Sequence, residues 1–238
     1  MAQNAPIPQA VTFYTWNTQG NFTQGPKAEV IQQMLGGNAL AMTFVQEGGV
    51  NLEGAQDGYT AEAGAAIGAF NERCTNYILY NDAWGQRLSK VTLVDANNSV
   101  LIGGGIAGRT PAAVSLGKTL FVCWHSLSAP NNLDTGALLR ALQKAPVYKE
   151  FDQIILGGDF NATPEDVERI VLGIAVERGE PNFTIQIVRC HQPTLKAWDK
   201  EYDFFILFQK AHEQQNAQLL NVVPSDHQAV RMDLLLVI

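Results

Sequence analysis

The stretch FDQIILGGDFN (151–161) decides how the rest of the chain is read. It carries an apolar run of strand length, Ile154, Ile155 and Leu156, and it ends in polar residues. Gly157 and Gly158 permit close backbone approach just ahead of an acid. Alternation along a strand would then project Asp159 and Asn161 to the same side. A strand that stops abruptly in chemistry-bearing side chains presents them on a rigid scaffold.

The same pattern recurs on either side. VTFYTWN (11–17) ends at Asn17, ALAMTFVQE (39–47) at Glu47, and KTLFVCWHS (118–126) runs to His125. EYDFFILF (201–208) carries Asp203 at its start, and PSDH places Asp226 and His227 just before AVRMDLLLVI (229–238). YILYN (77–81) and KVTLVD (90–95) also read as strands. Helical spacing marks KAEVIQQML (27–35) and TGALLRALQKA (135–145). TPEDVERIVLGI (163–174) begins as a helix should, with Thr163 as N-cap, Pro164 at the first position and acids in the first turn. Many strands with a few helices between them, and no repeat or linker, give one α/β (α+β) domain of packed sheets over 11–238. Residues 1–10 read as a polar, Pro-containing lead-in.

Composition narrows the classes. The chain has 238 residues, enough for a sizeable core, and 46% of them are hydrophobic. A formal charge of −7, from 16 basic and 23 acidic residues, argues against broad electrostatic coating of nucleic acid. It leaves room for a nuclease, in which a metal and a few placed arginines handle a local phosphate. No apolar run is long enough for a helical membrane span. MAQNAPIPQA lacks the basic and apolar segments of a signal peptide, which fits a chain whose signal has been removed; a cytoplasmic place stays open. Cys74, Cys123 and Cys190 form no CxxC pair, so a zinc cluster is unsupported, and one disulfide or three buried thiols remain alternatives.

The gathered residue types suit metal-assisted attack on a phosphate. Mg²⁺, with Mn²⁺ or Ca²⁺ as alternatives, takes oxygen ligands, and Glu47 with Asn17 and Asp226 beside it could supply them. Two histidines near a phosphate can divide proton transfer and charge stabilisation. Asn161 would be a neutral donor that orients phosphate or water. Trp16 and Trp124 read as packing residues rather than stacking platforms, and His191 and His212 as surface or structural.

WNTQG, VQEGG, GGDFNATP and PSDHQAV, in this order, resemble the endonuclease/exonuclease/phosphatase superfamily, to which deoxyribonuclease I belongs. WNTQG followed by VQEGG, and CWHSLSA, are closer to the B subunits of cytolethal distending toxins. The resemblance spans residues 11–231. It implies a four-layer sandwich, two mixed β-sheets face to face with helices outside, and Mg²⁺-dependent hydrolysis of phosphate esters. It implies Glu47 and Asn17 at the metal, and His125 and His227 as catalytic histidines. Asp159 and Asn161 would orient water and phosphate, Asp203 would orient a histidine, and Asp226 is the acid of the SDH motif. Arg109, and less directly Arg87, would contact substrate phosphate; a surface ion pair is the competing reading of Arg109. Where deoxyribonuclease I holds its first histidine with a glutamate, this chain has Thr75, with Glu72 nearby but out of register. The resemblance further implies a secreted bacterial genotoxin subunit, with DNA as substrate and delivery subunits as partners. Two other functions stay open: a phosphoinositide phosphatase or phospholipid phosphodiesterase using the same site, and a non-catalytic toxin subunit.

Overall fold

The computed structural model describes residues 8–37, 39–64, 75–94, 99, 109–127, 133–144, 150–176, 184–209, 215–220 and 225–237. In chain order the elements are β1 (Pro8–Asn17), α1 (Gly25–Leu35), β2 (Leu40–Gln46), β3 (Gly54–Ala55), β4 (Tyr59–Ala63), β5 (Tyr77–Asn81), β6 (Ser89–Lys90), β7 (Ala112–Leu116), β8 (Thr119–His125), α2 (Leu133–Lys144), β9 (Gln153–Asp159), α3 (Pro164–Val176), β10 (Thr184–Val188), β11 (Asp203–Gln209), β12 (Ala217–Leu220) and β13 (Ala229–Val237). A 3-10 turn covers Asp82–Arg87.

Two mixed sheets result, ordered β12-β13-β1-β2-β5-β4-β3 and β10-β11-β9-β8-β7-β6 among the described residues. Each is built on a parallel pair, β1 with β2 and β8 with β9, and a helix lies between the two strands of each pair in the chain. The period of two along each strand then sorts the residues into layers. One set of alternate positions, including Phe13, Met42, Phe44, Phe121, Ile155, Phe205 and Met232, meets between the sheets. The other set in the first sheet packs on Ile31, Met34 and Leu35 of α1. In the second sheet it packs on Leu138, Leu139 and Leu142 of α2 and Val167 of α3. The expected four layers are thus present.

The inter-sheet face also positions the polar strand ends. Following the alternation, Phe13 leads through Thr15 to Asn17, Phe121 through Cys123 to His125, and Ile155 through Gly157 to Asp159. The register sets His125 opposite Asp159 and Asp203 opposite Asp159. Because β11 and β13 run antiparallel to their neighbours, their beginnings lie where β9 and β1 end. One mouth of the sandwich therefore collects residues from both sheets.

Three local expectations need correcting. The first strand begins at Pro8 rather than after residue 10, because Pro8, Gln9 and Ala10 pair with Val237, Leu236 and Leu235. KVTLVD does not form a full strand: β6 stops at Lys90, and Val94 makes only an isolated bridge. Asn161 lies beyond the end of β9 with φ of 45°, so strand alternation does not govern it. Its N–H instead donates to Asp159 Oδ1 at 2.9 Å, closing a turn that keeps both side chains at the mouth. Gly157 and Gly158 are required for packing. A Cβ on Gly157 would stand 2.6 Å from the Phe44 ring, and one on Gly158 would overlap the Trp124 carbonyl oxygen. Cys123 and Cys190 are buried free thiols, while Cys74 and His212 lie outside the described residues.

Candidate active site

The mouth is a cleft of about 270 Å³ lined by Asn17, Gln19, Glu47, Arg109, His125, Asp159, Asn161, Asp226 and His227 from the strand ends, and by Leu195, Ala197 and Trp198 from one loop. All the sequence-derived candidates except Asp203 and Arg87 line it. Asp203 is fully buried behind His227, and its Oδ2 stands 2.8 Å from His227 Nδ1. Arg87 is folded onto its own 3-10 turn, where its guanidinium donates to the Trp84 and Ala83 carbonyls.

Asp159 is the centre of the cluster. Its Oδ2 accepts from Asn17 Nδ2 at 2.9 Å and lies 3.7 Å from His125 Nε2 and 3.8 Å from His227 Nε2. Glu47 enters from the other sheet, with Oε1 3.6 Å from His125 Nε2. Glu47 and Gln19 both adopt left-handed backbone at φ near 50°, an uncommon conformation for residues with a Cβ, which fits a constrained functional turn. Their two turns are laced together: Gly20 N–H donates to the Glu47 carbonyl, and the Thr18 hydroxyl reaches Gln46 and Glu47 carbonyls. Lys27 Nζ holds the Thr18 carbonyl at 2.5 Å.

The two histidines sit in opposite electrostatic states. Burial pushes His125 down to about 4; Asp159 pulls the other way, while Arg109 and His227 add to the depression. Burial would also lower His227, but the charge and hydrogen bond of Asp203, with Asp159 and Asp226 in support, push it up to about 10. Burial and the Asp159 charge raise the Glu47 carboxyl, against Arg109, the Asn17 hydrogen bond and His227. His125 Nδ1 is buried with no hydrogen-bond partner among the described residues. Glu72 lies outside the described residues.

Asp159, Asp203 and His227 also bring ligand-type atoms within 4.8 Å of one another. The Asp203–His227 hydrogen bond accounts for the closeness of that pair without a metal, so Glu47 on the open side is the better candidate ligand. Sequence reasoning missed Trp198, which is 65% exposed at the cleft wall, whereas Trp16 and Trp124 are core residues as expected. An isolated Trp in a polar loop carries no periodic signal that separates a cleft wall from a packing site.

No protein-family model matches the chain, and no curated protein matches it. Solved structures do. A cytolethal distending toxin structure from Actinobacillus actinomycetemcomitans superposes with a TM-score of 0.66 at 18% identity, over 93% of this chain and 97% of that one. The fold is deoxyribonuclease I-like. D. rerio TDP2 complexed with single strand DNA product follows the same deoxyribonuclease I-like path, with a TM-score of 0.56 at 12% identity, over 94% of this chain and 98% of that one. So does the inositol polyphosphate 5-phosphatase domain of SPsynaptojanin, in complex with inositol (1,4)-bisphosphate and calcium ion. It has a TM-score of 0.55 at 10% identity, over 95% of this chain and 83% of that one. No helix among the described residues is long and apolar enough to cross a membrane.

Proposed function

We propose that this cleft hydrolyses nucleic-acid phosphodiesters with a divalent cation, in the manner of the endonuclease/exonuclease/phosphatase superfamily, and that DNA is its substrate. The observation that carries the reading is geometric: the Nε2 atoms of His125 and His227 flank Asp159 Oδ2 at 3.7 and 3.8 Å, with Glu47 beside one histidine and Asp203 behind the other; their pKa values pushed in opposite directions support it. A pair of titratable groups pushed apart by their surroundings is how acid and base roles are assigned in such sites.

The donor set fits a hard cation. Three carboxylates, Glu47, Asp159 and Asp226, line the cleft with His227 and Arg109, and Asp226 Oδ1 is buried with no hydrogen-bond partner among the described residues. Glu47, with Asn17 and Asp226, would hold Mg²⁺, Mn²⁺ or Ca²⁺. Such a cation polarises a phosphoryl oxygen and offsets charge on the leaving oxygen. His125, neutral at physiological pH, accepts a proton from water at Nε2. His227, protonated and fixed through Nδ1 by Asp203, offers its Nε2–H to the leaving or a non-bridging oxygen. Asn161 and Arg109 turn donors toward the phosphate.

Trp198 favours nucleic acid over a lipid headgroup, because its exposed face at the cleft offers a stacking surface to an unpaired base. The second reading, a phosphoinositide phosphatase or phospholipid phosphodiesterase, draws support from the charge of −7 and from Arg109 being the one Lys or Arg among the cleft-lining residues described. Purified protein with Mg²⁺ separates the two. Conversion of supercoiled plasmid to nicked circles, abolished by EDTA, is expected. Phosphate release from phosphoinositide vesicles with intact plasmid would establish the second reading instead. A secreted, toxin-type setting with delivery subunits rests on the likeness to the toxin structures.

A further inference from the structure

Ser126, next to His125, is fully buried, and every polar atom it has is engaged. Its N–H donates to the Asp159 carbonyl at 2.9 Å. Its carbonyl accepts from Arg109 Nη1 at 3.0 Å and from Asn161 Nδ2 at 2.8 Å, using both lone pairs. Its hydroxyl donates to Asp134 Oδ1 at 2.7 Å and accepts from the Thr135 hydroxyl at 2.9 Å, which itself accepts from Trp124 Nε1. Asp134, in the first turn of α2, takes two further donors: Thr135 N–H on Oδ1 and Leu127 N–H on Oδ2 at 2.6 Å.

The last bond decides the geometry. Leu127 N–H and the Ser126 carbonyl belong to one peptide unit, which is planar and trans, so they point in opposite directions. A carboxylate that fixes the N–H on one side fixes the carbonyl on the other. We infer that Asp134 and Ser126 are positioning residues: by pinning this peptide they aim Arg109 and Asn161 into the cleft, and through them place the substrate phosphate. The use of those two donors rests on the phosphodiesterase reading; their placement does not. A carboxylate at the start of a helix is favoured by the helix dipole. Here its lone pairs serve the loop after His125 as well as the helix.

The kinetic test is a mutant cycle on hydrolysis of bis(4-nitrophenyl) phosphate with Mg²⁺. Asp134→Ala should lower kcat/KM about tenfold, or about 1.4 kcal/mol. The same change in an Arg109→Ala, Asn161→Ala background should cost less than about threefold, because the aimed donors are already gone. The Mg²⁺ titration midpoint should stay within about twofold, since Glu47 lies on the other sheet. Equal factors in both backgrounds would overturn the inference. A second readout needs no turnover. Arg109 Nε is buried without a hydrogen-bond partner among the described residues, so its N–H resonance should be protected and visible. That resonance, assigned by its loss in Arg109→Lys, should shift or broaden in Asp134→Ala, and an unmoved resonance refutes the inference. Should Asp134→Ala fail to fold, Asp134→Asn keeps the side-chain shape but removes the charge that accepts from Leu127 N–H and the Ser126 hydroxyl, and the same resonance must move. If the wild-type protein hydrolyses no phosphodiester while the resonance shifts, the activity reading falls and the positioning unit stands.

Discussion

Replacing Asp203 with Asn keeps the shape and an acceptor for His227 Nδ1 but removes the charge that holds the imidazole protonated. Asp203 is fully buried and its partner nearly so, so the lost attraction is poorly screened by solvent. Breaking a buried ion pair costs about 3 kcal/mol or somewhat more. For a chain of this length that is a fall in Tm of roughly 10 °C. The pH dependence has a definite sign. His227 is raised above its ordinary value, so the stability it contributes is fully present below about pH 6.5 and is lost as pH rises through about 10. The gap between wild type and Asp203→Asn should therefore be widest near pH 6 and should close by about pH 10. Urea unfolding of metal-free protein at pH 6, 8 and 10 measures it. Activity should drop about a hundredfold at pH 7.5, the scale of a misplaced general acid. A stability gap that does not change between pH 6 and 10, or a variant with wild-type turnover, would refute the assignment of His227 as the protonated partner.

Glu47→Gln should shift the Mg²⁺ titration of activity to at least about tenfold higher concentration, since a carboxylate is the expected anchor for this ion; an unchanged titration removes Glu47 from the metal site. Trp198→Ala should raise KM for a single-stranded oligonucleotide about tenfold with kcat little changed, as expected from losing one stacked base. Equal loss on bis(4-nitrophenyl) phosphate would show that Trp198 acts on folding instead. Gly157→Ala should destabilise the protein by about 1–3 kcal/mol through overpacking against Phe44 and Phe205, read by urea unfolding, and a neutral effect would mean the sheets can separate locally.

Much of the site was readable in the sequence because its residues end long, apolar, buried strands. β2, β8, β9 and β11 each carry that signature, β1 and β13 carry it on their inward-facing positions, and the site residues at their ends meet because the parallel pairs and their antiparallel neighbours share one mouth. The short strands were harder. β3 has two residues, and β4, β10 and β12 are mostly half-exposed or exposed, so no strong alternation marks them. The left-handed turn at Asn161 was hidden because Asp159 and its neighbours read as continuous strand, while the side chain of Asp159 itself ends it. Arg87 is not among the cleft-lining residues for a similar reason: carbonyls of its own turn hold its guanidinium, and sequence order does not report that. The Ser126–Asp134 unit depends on a contact between a strand end and a helix start, and neither residue type is distinctive alone.

The proposed reaction needs His125 and His227 to work together on a phosphodiester bond. Its most direct test is the initial rate of supercoiled-plasmid nicking by wild type, His125→Ala and His227→Ala, each with Mg²⁺ and each checked for folding. Nicking by wild type and loss of about a hundredfold or more in both variants is the predicted result. Equal rates in all three, or no nicking by any, would contradict the proposed reaction; phosphate release from phosphoinositide vesicles then separates the second reading from a cleft that only binds.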